Sequence, residues 1–160
     1  MRRLTALFHR SAALAVVACF AALGGGGASF AAEIPRLPVV QLRAGLYLIH
    51  AEVASRPEEL QRGLMFRSQL GQNHGMLFVF AQRGTQCMWM LNTLIPLDVA
   101  FLRDDGTIVN IEAMQPNTRT SHCSAEPVRL ALEMNAGWFA QRKLGPGDVI
   151  RGIPALAPLP

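Results

Sequence analysis

Residues 87–101 read CMWMLNTLIPLDVAF. The stretch is apolar enough for a protein core, yet Asn92, Thr93 and Asp98 interrupt it. One long helix or strand would bury those three side chains against apolar neighbours, at a cost unless each found a hydrogen bond. Two adjacent strands joined at Asn92-Thr93 resolve the conflict. CMWML is then a short strand with Met88 and Met90 on one face, and Asn92-Thr93 supplies turn chemistry. A second strand starts near Pro96, where a missing amide donor does least harm, and puts Asp98 on the same face as Ala100 and Leu102.

The same rhythm runs outward in both directions. Towards the C-terminus, Asp104-Asp105-Gly106-Thr107 is a hairpin signal, since Asp-Gly accepts positive φ, and TIVNIEAM returns antiparallel. After a polar loop holding His122 and Cys123, VRLALEMN alternates cleanly. Val128, Leu130, Leu132 and Met134 face one way, and Arg129, Ala131, Glu133 and Asn135 face the other, which puts Glu133 on the outer face. AGWFAQRKLG fits a short helix stopped by Gly145, and GPGDVIRGI leads into a last strand. Towards the N-terminus, MLFVF is apolar at every position, as in a central strand buried on both faces. SRPEELQRGLMF predicts a short helix. Pro57 suits its first turn, Glu58 and Glu59 suit its positive end, Leu60 and Leu64 share a face, and Gly63 ends it. VVQLRAGLYLIHAEVA reads as two strands around Gly45. About seven or eight short strands and two short helices result, without a βαβ rhythm. The expected fold is mainly β, a compact antiparallel β-sandwich or barrel.

The first residues carry an address. Arg2, Arg3 and Arg10 form a basic region, Ala12–Leu23 is apolar but short, and Ser29-Phe30-Ala31 puts small residues at a cleavage position. This is the pattern of a secretory signal, and it marks a periplasmic or secreted protein. A competing reading makes Val16-Val17-Ala18-Cys19 a lipoprotein box, with Cys19 as a lipid anchor. The expected organisation is residues 1–31 as a cleaved leader, 32–152 as one β-rich domain and 153–160 as a Pro-rich tail, with no membrane span after the leader. Of the 15 basic and 11 acidic residues, three arginines lie in the leader, which leaves 12 against 11 and a net charge of +1. That balance removes the electrostatic argument for nucleic acid. Cys87 and Cys123 form an even pair suited to an oxidising compartment, where a bridge is the expected state. Two buried thiols or a shared metal are the alternatives.

Separated blocks agree with one family. RGLMFR, GMLFVF, WMLNTLIPLDVAF, DGTIVNI and LEMNAGWFAQRKLGPGDVI, in this order and spacing, resemble the domain of unknown function 192 from about Val53 to Ile150. The resemblance implies a compact β-rich domain, often exported in bacteria, and implies no reaction. Leu60 and Leu91 depart from it, standing where relatives commonly carry a basic residue.

The chain contains no G-x-S-x-G, H-E-x-x-H, Walker or C-x-x-C motif. The ligand-binding candidates are Arg62, Arg67, His74, Trp89, Asn92, Thr93, Asp98 and Glu133. Asp98 needs arginine or backbone donors. Arg62 or Arg67 offers a bidentate partner for it, and Trp89 offers a stacking surface. The expected role is non-catalytic, binding a small polar ligand, a glycan or an envelope protein through the face near Asn92, Asp98 and Arg67, with no cofactor. One alternative is a hydrolase that uses His74 with Asp98 or Glu133. The other is soft-metal binding, with copper held by Met76, Met88, Met90, Met134, His74 and His122. Core packing also explains the methionines.

Overall fold

The computed structural model describes residues 36–155. The leader, its cleavage site and the lipid-anchor alternative at Cys19 lie outside the described residues, as do residues 156–160 of the Pro-rich tail.

The elements follow in the order β1 (Val39–Ala44), β2 (Tyr47–Ala54), α1 (Pro57–Arg62), β3 (His74–Gly84), β4 (Cys87–Met88), β5 (Leu97–Leu102), β6 (Ile108–Met114), β7 (His122–Cys123), β8 (Val128–Asn135), α2 (Trp138–Gln141) and β9 (Ile150–Arg151). Seven strands form one sheet in the order β6-β5-β8-β3-β2-β1-β9, while β4 and β7 pair separately. The fold is mainly β with two short helices, as the alternation predicts. Its pairings are antiparallel except for β2 and β3, which run parallel. Helix α1 lies on the crossover between them, because parallel neighbours cannot be joined by a tight turn.

The sheet curls until its ends meet. Thr107, just before β6, bridges Val149, just before β9. Ile108 donates to Asp148 at 2.8 Å, and Ile150 donates to Gly106 at 2.9 Å. Gly106 is required here twice over. Its φ is +84°, and a Cβ would sit 2.0 Å from the Ile150 carbonyl oxygen. Asp105 fixes the same hairpin by accepting from the Thr107 amide at 2.9 Å.

Curling makes two cores. The inner one contains Leu42, Ile49, Leu77, Ala100, Leu132 and Met134, with Trp138 and Phe139 of α2 packed against it. The outer one covers the other face of the same strands, where Val99, Phe101 and Ala131 meet Leu64, Met88 and Met90 from the chain around α1 and β4. This second cover explains why all six residues of β5 are buried. It also corrects the placement of Glu133. The alternation of β8 holds, but its second face is covered, so Glu133 is 4% exposed.

The strand reading of residues 87–101 changes in one respect. Residues 87–91 are a strand only at Cys87–Met88, and that strand pairs with β7, not with β5. Asn92 takes a left-handed conformation at φ +56°, which turns the chain away. Cys87 stands opposite Cys123 in this pairing, and the two form a disulfide.

Candidate functional site

Strand β8 lies between β3 and β5, and its register fixes what each side chain faces. Glu133 stands opposite Met76 of β3 and Val99 of β5, while Met134 stands opposite Asp98. Residues directly opposite share a face. Met76 and Val99 belong to the outer core and Met134 to the inner one. Glu133 therefore projects outward from the curled sheet and Asp98 inward.

Asp98 is satisfied locally. Its Oδ2 accepts at 2.8 Å from the amide of Gly137, the residue immediately before α2. Burial raises its pKa and the Gly137 hydrogen bond opposes that rise. Gly137 sits at φ +77°, so the carboxylate anchors a left-handed turn. The expected arginine partners are committed or placed elsewhere. Arg67 forms a two-oxygen ion pair with Glu52 at 2.6 and 2.7 Å, and Arg62 lines a pocket on the outer face.

That pocket has a volume of about 120 Å³. Leu60, Arg62, Gly63 and Leu64 at the end of α1 form one wall, Phe78 and Phe80 of β3 another, and Met88, Trp89 and Thr93 a third. Gly63 lets the helix end approach β3. It has φ +47°, and a Cβ there would lie 3.1 Å from the Phe78 ring. Glu133 completes the lining. Among the described residues its carboxyl has no hydrogen-bond or ion-pair partner, and burial alone pushes its pKa up to about 8. The group is consequently protonated and neutral through most of the neutral range.

Four of the eight candidates, Arg62, Trp89, Thr93 and Glu133, share this pocket. The other four do not line it. Arg67 is held by Glu52. His74 is exposed and stacks on His50 with ring centroids 5.3 Å apart. Asn92 is exposed, and its carbonyl accepts from the Phe66 amide at 2.8 Å. Asp98 is on the inner face. The pairing of His74 with Asp98 or Glu133 in one cleft therefore does not form. The soft-ligand set is also divided. Met76, Met88 and Met90 lie in the outer core, Met134 lies in the inner one, and His122 faces Glu112 at 3.9 Å.

The sequence reading missed Leu60, Phe78, Phe80 and Met88 as pocket walls. The signal for the first was the Leu60 and Leu64 spacing on α1, which marks a face turned toward the protein. Nothing in the spacing of MLFVF separates a pocket aromatic from a core one. Leu60, one of the two departures from the family pattern, lines the pocket, so no charge is offered to Glu133 from that position.

Fold and site together define a curled β-sheet domain with a buried acid in the lining of an outer-face pocket. The chain belongs to the DUF192 family, described as "Uncharacterized ACR, COG1430", whose sequence profile matches residues 40–152. Solved structures similar to it include the following two. One, from Sinorhizobium meliloti 1021, is described as a candidate transcription regulator. It shares 37% identity and a TM-score of 0.70 over 75% of this chain and 97% of its own. The other, a protein of unknown function from Novosphingobium aromaticivorans DSM 12444, shares 33% identity and a TM-score of 0.69 over 72% of this chain and 86% of its own. No curated protein matches. Among the described residues, no helix is long and apolar enough to cross a membrane.

Proposed function

We propose that this is an exported envelope protein that binds a small polar ligand non-catalytically in the Glu133 pocket. The observation that carries the reading is the carboxyl itself. A buried acid without a partner costs stability, and such a cost is found where a site must meet a ligand. Arg62, Trp89 and Thr93 supply a cation, an aromatic surface and a hydroxyl around it. A pocket of this volume admits one chemical group, so a glycan or an envelope protein would insert a single substituent. Export is supported by the leader pattern of residues 1–31 and by the Cys87–Cys123 bridge. Lipid attachment at Cys19 is the alternative form of the same address.

A hydrolase reading has one observation in its favour, since an acid with a pKa of about 8 is protonated at neutral pH and can serve as a general acid. It lacks a base, because His74 and Asp98 stand outside the pocket.

The test is a thermal-shift screen of the mature chain with sugars, cell-wall fragments and metals. A stabiliser of the pocket is expected to raise the melting temperature of the wild type, and to lose that effect in Glu133→Gln and Trp89→Ala. A stabiliser that acts equally on all three proteins binds elsewhere and overturns the pocket as the site.

A further inference from the structure

We infer that the Glu133 pocket takes an organic ammonium group. This rests on the binding role proposed above and adds the ligand's chemical class.

Among the described residues the Glu133 carboxyl makes no hydrogen bond or ion pair, although Gln61, Arg62 and Thr93 share its pocket. Met76 of β3 and Val99 of β5 stand directly opposite Glu133 and carry no charge. From β4, Cys87 is locked in the disulfide and Met88 is apolar. Arg62 of α1 is the one other titratable group in the lining, and it is exposed to solvent. An ammonium group supplies the missing counter-charge and up to three donors in a compact head. A carboxylate ligand would bring a second acid against the first. A hydroxyl would supply a donor but no charge. The walls fit as well, because Phe78, Phe80 and Trp89 are aromatic, and aromatic faces attract cations. Arg62 opposes the ammonium only weakly, since an exposed charge is screened by water and salt. The volume, set against an apolar cavity of about 150 Å³ that holds benzene, suits a short alkylammonium.

The proton balance gives the reading its signature. Glu133 must be ionised to pair with the ammonium. Below its pKa of about 8, binding releases one proton from the carboxyl to solvent. Alkyl amines stay protonated to about pH 10. Affinity is thus expected to rise about tenfold from pH 7 to pH 9, and about 100-fold from pH 6 to pH 9, by proton linkage alone.

The experiment titrates the mature chain with butylammonium, 1-butanol and butyrate at pH 6, 7 and 9, followed by calorimetry and by the carboxyl carbon signal of Glu133. Butylammonium is expected to bind with that pH dependence, to lower the midpoint of the Glu133 titration in the wild type, and to bind at least tenfold more weakly to Glu133→Gln. The wild-type carbon signal keeps the test valid if the variant does not fold. N-acetyl-lysine methylamide distinguishes the source. Binding equal to butylammonium assigns an amine carried on a larger chain, and binding of butylammonium alone assigns a free small amine. If butanol or butyrate moves the Glu133 signal and the amine does not, the ammonium inference falls and the pocket reading stands. If no probe moves it at any pH, both fall.

Discussion

Asp98 and Glu133 project from neighbouring strands, one residue apart in register, to opposite faces of one sheet. The difference in face decides their chemistry. Asp98 reaches the end of the inner core, where the Gly137 amide waits at 2.8 Å. Glu133 reaches the outer core, where methionine and aromatic side chains pack and, among the described residues, no side chain pairs with its carboxyl. One acid is spent on a turn. The other is left for a ligand.

Glu133 makes stability depend on pH in a direction opposite to the usual acid. Its folded pKa is raised from 4.5 to about 8. Between those values the unfolded chain has lost the proton and the folded chain keeps it. The folded state therefore binds more protons, and stability falls as pH rises through that window. The interval corresponds to about 5 kcal/mol as an upper size. Urea unfolding of wild type and Glu133→Gln at pH 5 and pH 8.5 checks this. The wild type is expected to lose stability relative to the variant at the higher pH. Parallel curves would mean that burial does not hold the proton.

Asp98→Leu is expected to cost about 1–3 kcal/mol, because the Gly137 amide then lacks its acceptor in a half-buried turn. Asp98→Asn retains an oxygen at that position and is expected to cost less. Neither change touches the outer face, so ligand binding at Glu133 should be unchanged in whatever fraction is folded. Chemical denaturation gives the stability, and the Glu133 carbon signal reports on the pocket. A changed pocket signal in Asp98→Asn would mean that the two faces are coupled.

Leu60 and Glu133 line the same pocket. Leu60→Arg places a guanidinium within reach of the unpartnered carboxyl. A cation at about 4–6 Å lowers an acid's pKa by about 1–3. The variant is expected to show a Glu133 titration well below 8, a flatter pH dependence of stability and weakened butylammonium binding, since its own side chain fills the role. An unmoved titration would show that position 60 does not face the acid.

The strands were legible because their signals are local. Alternation in residues 128–135, the Asp105-Gly106 hairpin and the Pro57 helix start each depend on a few neighbouring residues. Covering of the outer face was not legible, because it depends on where α1 and the β4 segment return in space. That is why Glu133 read as an outward solvent residue when its orientation was right and its environment was not. The partner of Asp98 was missed for a related reason. Arginine or backbone donors were both open to its carboxylate, and no pattern announces which amide a turn leaves free. The parallel β2–β3 pair was hidden by a crossover whose helix has only six residues.

The disulfide joins a strand of two residues to another of two, so neither strand has much pairing of its own. The bridge closes a sequence separation of 36, for which chain entropy gives about 4 kcal/mol. Met88 and Trp89 follow Cys87 directly and line the Glu133 pocket. Cutting the bridge is therefore expected to loosen the pocket wall before the curled sheet. In Cys87→Ser/Cys123→Ser, the overall stability should drop by up to that amount. Hydrogen exchange should quicken at residues 87–93 more than in β3, β5 and β8, whose amides are held in the central sheet. Denatured, non-reduced protein beginning at residue 32 should contain no free thiol. Uniform quickening across the sheet would show instead that the bridge holds the whole fold.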